Sequence, residues 1–570
     1  MEAGVSLWER GIAVSGVSVA LLDWLDDPVT DRAIHFARDD GTWDRRSYAD
    51  LANVGNGVAS QLLDAFPSIE GKIVSIVVPT GPLFVGAYFA ALTVGATPAP
   101  LVPPTLFDDI GVYIEHTASL LRVAGGPIVT TAEIGDAIGR AAQQAGLDPP
   151  LLLDDQLVAD QIARRSPAEL ALLQFTSGSS GRPRGVRVTW ENLQSNIGMI
   201  RDWIDWGPND VGAHWLPLYH DMGLIGCTLT PAVHQRDLWI MRPDQFIRNP
   251  QRWLDCFGRG GAHFTATPGF GFAYAHRRAT EEALEGSDFS GWRVAILGAE
   301  RLDPGTLSRF AQAMAPHGFR PQTFLPAYGL AECTLAVTGG GYGRVSRAVL
   351  PDWSRMQAAT PVPIIQDASI ASPEIGDGAG WILGCGSALP PTRVEIRDGQ
   401  TVLPDGQLGE IHVSGPTVAD GYLGDERSAS TEFIASGVRT GDAGFIWDGE
   451  LFVVGRLGDS IKIRGRTIYA EDLEAKLTAL PAVPKGRTVV IPGRDRGEES
   501  VTMITETDPG EWVDSAMQLL RSEIGEETPI RIVTGPVGTI PRTSSGKPRR
   551  RMLWQAVADG TLEGVAISAN

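Results

Sequence analysis

Ile73-Val-Ser-Ile-Val-Val-Pro-Thr-Gly-Pro-Leu-Phe-Val-Gly-Ala-Tyr-Phe-Ala-Ala-Leu-Thr-Val-Gly-Ala-Thr-Pro-Ala-Pro-Leu-Val-Pro-Pro-Thr-Leu-Phe107 carries no charge along its whole length. A bilayer span would need about 20 residues of unbroken helix. Pro79, Gly81, Pro82, Gly95, Pro98, Pro100, Pro103 and Pro104 interrupt this stretch, so no membrane span is expected. Read in pieces, it gives a β-branched strand at Ile73–Val78, a turn, an apolar helix at Leu83–Val94 and a second strand. This is a buried β-α-β unit, which implies parallel sheet with helices on its faces.

Outward from this unit the same alternation continues. Strands at Pro127–Thr130 and Trp292–Leu297 and helices at Tyr48–Leu63 and Asp303–Ala315 extend a mostly parallel, helix-covered α/β architecture. From about Gly380 to Val454 the texture changes to short β-rich segments (Arg393–Ile396, Gly409–Val413, Leu451–Val454). Asp405-Gly406 and Asp448-Gly449 punctuate them as turns, so a small antiparallel sheet or barrel-like subdomain is expected over 380–454. After Asp459 an α+β pattern follows, with helices at Glu471–Leu480 and Trp512–Ile524 and strands at Thr488–Ile491 and Val501–Ile504. A chain of 570 residues exceeds the roughly 250–300 at which one core stops growing. The expected division is an N-terminal lobe over 1–458 and a smaller C-terminal lobe over 459–570.

The formal charge is -20, from 48 Lys and Arg against 68 Asp and Glu. It argues against nucleic acid as a partner, because the phosphate backbone would be repelled. The acidity is uneven: residues 459–570 hold 15 basic and 16 acidic side chains, leaving -19 to residues 1–458. Cys227, Cys256, Cys333 and Cys385 lie far apart, without metal-ligand spacing, and fit a reducing compartment. The N-terminus carries acid where a signal peptide carries base, so a cytoplasmic location is expected.

The chemistry concentrates in Leu173-Gln-Phe-Thr-Ser-Gly-Ser-Ser-Gly-Arg-Pro-Arg-Gly-Val186. An apolar strand leads into four hydroxyls (Thr176, Ser177, Ser179, Ser180) set among Gly178, Gly181 and Gly185, with Arg182 and Arg184 behind them. Glycines let backbone N–H groups converge on an anion, hydroxyls donate to its oxygens and arginines add charge, so the loop suits a phosphate. The chain contains no G-x-x-x-x-G-K-[ST], no G-x-G-x-x-G and no G-x-S-x-G, which sets aside a Walker loop, a dinucleotide fingerprint and a serine-hydrolase elbow.

With these residues in view, the sequence resembles the adenylate-forming superfamily of acyl-CoA synthetases, peptide-synthetase adenylation domains and luciferases. Phe175–Gly185 satisfies its phosphate-loop signature, and five further motifs occur in the family's order. Gly298-Ala299-Glu300 resembles the adenine-edge segment. Tyr328-Gly329-Leu-Ala-Glu332-Cys-Thr334 is similar to the motif whose Tyr stacks on adenine and whose Glu helps hold Mg²⁺. Arg439-Thr-Gly-Asp442 is similar to the one whose Asp grips the ribose. Gly455-Arg456-Leu-Gly-Asp459 resembles the arginine-plus-hinge segment between lobes, and Ile540–Lys547 the motif bearing the catalytic lysine. The resemblance implies ATP and Mg²⁺ as cofactors, with Thr176 as a hydroxyl partner to Glu332 at the metal and Lys547 as a cation carried by a mobile C-terminal lobe. Charge at that point is what joining two anions requires.

Within the superfamily the sequence is most similar to the fatty acyl-AMP ligases. Trp215-Leu-Pro-Leu-Tyr-His-Asp-Met-Gly-Leu-Ile-Gly226 and Arg464–Glu474 resemble that branch's segments, and residues 339–381 fall where it carries an insertion that restrains lobe rotation. Thr467, Ala470 and Gly269 depart from its pattern; Gly269 stands in the implied acyl-pocket wall, which favours a shorter, branched or cyclic acid over a long straight one. The implied acyl pocket comprises His220, Asp221, Met222, Gly269, Phe270 and Tyr274, with His220 positioning the carboxylate. The resemblance implies activation of a carboxylic acid and transfer to the phosphopantetheine of an acyl carrier protein. Because such carriers are acidic, Arg549-Arg550-Arg551 is the expected docking side. The alternatives are an acyl-CoA synthetase using free CoA, or a non-catalytic paralogue, which would be expected to lose Lys547 or Glu332.

Overall fold

The computed structural model describes residues 21–104, 110–154, 159, 161–176, 184–378, 380–424, 431–463, 466–495, 498–525, 528–542, 548–559, 561–562 and 565–569. The opening stretch folds as strand Ile73–Val77, helix Pro82–Thr93 and strand Thr97–Pro100. The two strands pair in parallel, Ile73 with Thr97 through Ile76 with Pro100. Every helix residue from Phe84 to Thr93 is buried. Gly86 permits its contact with the helix Tyr48–Ala65, since a Cβ there would lie 2.6 Å from Val54 Cγ1. Strands Ile128–Thr130 and Leu151–Leu152 extend this sheet, all in parallel.

A nine-stranded sheet forms the second layer. Its middle strands (Leu238–Ile240, Gly212–His214, Phe264–Thr267, Val294–Leu297, Phe324–Gly329) run parallel, and antiparallel strands finish both edges. The parallel strands end toward the loops that carry the implied site residues, where ligands bind in open α/β sheets.

Of the two arrangements left open for residues 380–454, antiparallel sheet is the one present. Strands Arg393–Asp398, Gly409–Ser414, Gly437–Trp447 and Glu450–Arg456 pair antiparallel in an open six-stranded sheet. Asp448 and Gly449 both have positive φ, 52° and 79°, the two-residue turn that matches strand twist in a tight hairpin. Residues 339–381 contribute the hairpin Arg347–Pro351/Ile364–Ser369, closed by Ile382–Leu383.

Beyond Asp459 a hairpin leads into helix Ala470–Leu477, then a four-stranded sheet flanked by helices Trp512–Ile524 and Arg550–Ala558. The sheet is apolar on both faces. Val490, Met503 and Ile532 pack with Leu473 and Leu520, while Val489, Ile504 and Val533 pack with Ile540 and Leu553. Period-two alternation of the strands produces this split. Among the described residues, two ion pairs reach back to the rest of the chain: Lys485 to Asp303 at 2.5 Å and Arg301 to Asp472 at 3.9 Å. Arg301 also lies over the Trp353 ring, 5.3 Å from its centroid. No helix among the described residues is long and apolar enough to cross a membrane.

Candidate active site

A cleft of 2360 Å³ runs between the sheet ends and the C-terminal elements. Most implied site residues that the structure describes line it: Thr176; His220, Asp221 and Met222; Gly269 and Phe270; Gly298, Ala299 and Glu300; Tyr328, Gly329 and Glu332; and Asp442, Arg456 and Asp459. Ser177, Gly178, Ser179, Ser180, Gly181 and Lys547 lie outside the described residues.

One wall is built around Asp442. Strand pairing sets Asp442 opposite Arg456, and Arg456 Nε lies 3.0 Å from its Oδ1. From the neighbouring sheet, the Tyr328 hydroxyl donates to Asp442 Oδ2 at 2.6 Å. Burial, with Asp442 adding to it, holds the Tyr328 phenol well above its ordinary range, so it remains a neutral donor. The Asp442 carboxylate drives the Arg456 guanidinium further up. With about four lone-pair sites, a carboxylate that accepts these two bonds can still accept two more.

Beside it, a single 3₁₀ turn at Ala331–Cys333 presents Glu332, which is buried. The Tyr422 hydroxyl donates to Glu332 Oε1, and the Arg184 guanidinium lies 5.0 Å above the Tyr422 ring. Arg184 is 3% exposed, and its Nε and Nη1 have no hydrogen-bond partner among the described residues. A cation buried this way requires an anion to balance it. Tyr422 was missed in the sequence reading. It arrives through antiparallel pairing with the strand Arg184–Thr189, Tyr422 opposite Val186, a contact across 236 residues with no local signal.

The opposite wall starts with His220. Its Nδ1 is 2.6 Å from Asp221 Oδ1, which also accepts from the Met222 N–H at 2.7 Å, so the ring is oriented with Nε2 left for another partner. Residues Met222–Leu229 form a π-helix, a rare geometry that concentrates at functional sites. Gly223 is required there, because a Cβ would sit 2.3 Å from the Pro217 carbonyl oxygen. Gln174, also missed, donates from Nε2 to the Tyr219 carbonyl at 2.9 Å and ties this loop to the strand leading into the phosphate loop.

Helix Gly269–Arg278 completes this wall. Glu300 Oε1 accepts from the Phe270 N–H at 2.9 Å, and Ala299 before it is held at φ 68°, a conformation that costs of order 1–3 kcal/mol and clusters at ligand sites. Tyr274 is a correction to the acyl-pocket set. It does not line the cleft; its hydroxyl donates to the Ile247 carbonyl at 2.7 Å, and Phe270, Ala273 and Arg277 face the cleft instead. Spacings of three and four place those three residues on one helical face.

The arginine run also needs correcting. Arg550 is turned inward, with Nη2 2.9 and 2.8 Å from the two carboxylate oxygens of Glu474, so it is not available as a docking cation. Next to it, the Glu471 carboxyl is pushed up to about 7, first by burial and then by Glu474 and Asp459, with Arg550 opposing. The folded state therefore holds a proton the unfolded chain releases in the ordinary carboxylate range. Stability should fall as pH rises from that range to about 7 and level off above it. Glu471→Gln is expected to be roughly 1–3 kcal/mol more stable than the parent at pH 8.5 and nearly equal at pH 4.5. Thermal unfolding at both pH values checks this; an unchanged difference between them would contradict it.

The four cysteines are free and buried. Burial pushes Cys227, Cys256 and Cys385 up to about 12, so these thiols are not nucleophiles near neutral pH.

Helix-covered parallel sheets whose strand-end loops bring the Tyr328–Asp442–Arg456 set and the His220–Asp221 pair to one cleft define an α/β protein with a ligand-sized site. The AMP-binding enzyme family matches residues 23–423, and the chain belongs to that family. A putative acyl-CoA synthetase of Caulobacter vibrioides is 33% identical over 537 residues, covering 90% of each chain. The long-chain-fatty-acid–AMP ligase FadD26 of Mycobacterium marinum is 32% identical over 520 residues, covering 85% of this chain and 86% of its own. A solved structure from studies of fatty acyl-adenylate ligases of E. coli and L. pneumophila superposes with a TM-score of 0.81 at 28% identity. That superposition covers 95% of this chain and 98% of the other.

Proposed function

We propose that the chain converts a carboxylic acid and Mg·ATP to an acyl-adenylate and pyrophosphate, then transfers the acyl group to the phosphopantetheine thiol of an acyl carrier protein. The observation that carries this reading is the Tyr328–Asp442–Arg456 bond set facing the same cleft as His220–Asp221. Asp442 keeps lone pairs for ribose hydroxyls, and Tyr328 with Gly298, Ala299 and Glu300 walls the adenine. His220 orients the acid; a carboxylate that attacks phosphorus carries no proton to remove, so no general base is needed.

Arg184, buried with Nε and Nη1 lacking a hydrogen-bond partner among the described residues, supplies the balancing charge for a phosphate held by Thr176 through Gly181. Glu332 and Thr176 offer one carboxylate and one hydroxyl to the cleft, a hard-oxygen set that fits Mg²⁺. That ion is typically held by one or two carboxylates together with substrate phosphates. When bound, it neutralises charge on the departing pyrophosphate. Residues 1–458 form the body of the enzyme, and residues 459–570 form a lobe that turns about Asp459 and delivers Lys547.

FadD26's printed name supports the AMP ligase reading, and the Caulobacter vibrioides relative's name supports the alternative acceptor, free CoA. Thioester formation assayed side by side with CoA and with holo carrier protein separates the two. Transfer to carrier protein with little acyl-CoA is the expected result. Robust acyl-CoA would overturn the choice of acceptor while leaving acid activation in place.

A further inference from the structure

We propose that Arg550 is a positioning residue that holds the residues flanking 543–547 against the hinge, so that acid activation depends on it more than acyl transfer does. This rests on the functional reading above. Arg550 contacts three carboxyl groups, two on helix Ala470–Leu477 and one in the turn Leu457–Asp459. Its Nη2 bonds both oxygens of Glu474, and its Nη1 lies 3.4 Å from Glu471 Oε1 and 3.5 Å from Asp459 Oδ2. The side chains of Arg550, Glu471 and Glu474 are 17–18% exposed, so this is a largely desolvated cluster in which one cation serves three carboxyl groups.

Each partner is anchored elsewhere. Glu474 Oε1 also accepts from the Val490 N–H at 2.8 Å, which fixes helix Ala470–Leu477 to the sheet. Glu471 abuts the strand that ends in Arg456, since a Cβ on Gly455 would lie 2.9 Å from Glu471 Oε2. Asp459 closes the 3₁₀ turn that follows that strand. On the other side, Arg550 opens helix Arg550–Ala558, three residues after Lys547. The described residues on either side of 543–547 are tied together by the bridge between Arg542 and Pro548 and by the Arg549 N–H donating to the Pro541 carbonyl at 2.8 Å.

Arg550 is therefore the link from these flanking residues to the hinge. The forked bond to Glu474 lies within the C-terminal elements and can persist through a rotation, whereas the 3.5 Å contact to Asp459 is the one that a turn about the hinge would change. A displacement of about 1 Å at a reacting group can cost about 100-fold in rate, so slackening this link acts on the step that needs Lys547.

The test uses the full chain with Arg550→Ala and Arg550→Lys. Acid-dependent ATP–pyrophosphate exchange and transfer from supplied acyl-adenylate to holo carrier protein are measured on the same preparation. Their ratio is independent of the fraction that folds. For Arg550→Ala, kcat for exchange should fall about 10- to 100-fold with KM for ATP within about twofold, and transfer should change less than about threefold. Arg550→Lys, which keeps the charge without the fork, should fall between the parent and alanine. Equal losses in both reactions, or no loss in exchange, would overturn the inference alone. A parent chain that releases no pyrophosphate with any acid would overturn the functional reading and the inference with it.

Discussion

Asp442→Ala is expected to lower kcat/KM for ATP by about 10²- to 10³-fold. The loss corresponds to roughly 3–4 kcal/mol, the worth of two hydrogen bonds to a charged acceptor. The side chain is buried, with one oxygen taken by the Tyr328 hydroxyl and the other by Arg456. Alanine removes the acceptor proposed for the ribose and the bond that each neighbour makes to it. The Tyr328 hydroxyl loses its acceptor in a buried setting, which costs about 1–3 kcal/mol. Arg456 loses its nearest anion at the cleft wall. Asp442→Asn separates the two effects: it still accepts from Tyr328, so stability should be largely retained while ATP use falls. Equal kcat/KM for parent and Asp442→Ala would remove Asp442 from the nucleotide site.

Lys547→Ala should reduce acid activation by about 10²- to 10³-fold, the scale for removing one preorganised charge from a transition state. Two anions meet when a carboxylate attacks the α-phosphate, and the charge that offsets them is required at the transition state more than in nucleotide binding. ATP binding measured by calorimetry should therefore stay within about threefold of the parent while kcat for pyrophosphate release collapses. Retained pyrophosphate release would show that the lysine has no such role.

The apolar and turn-forming residues were the legible part of this fold. The uncharged run from Ile73 resolved into its strand, helix and strand because prolines and glycines mark the breaks and β-branched residues mark the strand. Asp448-Gly449 marked a hairpin because few residue pairs tolerate positive φ twice in succession. Tyr422 and Gln174 were not legible, since each reaches the site through pairing between distant strands or loops rather than through local pattern. The three consecutive arginines show a different limit. Arg549 stands outside the helix that Arg550 opens, and Arg550 turns toward Glu474, a long-range contact that a run of like residues does not signal. Tyr274 was not legible either, because its hydroxyl is drawn to the Ile247 carbonyl, a contact between separate helices that helical spacing does not signal.

The cleft's composition leaves the acid's identity to chemistry, and that is where the account is tested most directly. The full chain is incubated with Mg·ATP and each of a panel of straight, branched and cyclic carboxylic acids, and the nucleotide products are resolved. Acid-dependent release of pyrophosphate together with an acyl-adenylate or AMP is the expected result, lost in Asp442→Ala and Lys547→Ala. Formation of ADP and inorganic phosphate, or pyrophosphate release indifferent to every acid, would contradict it.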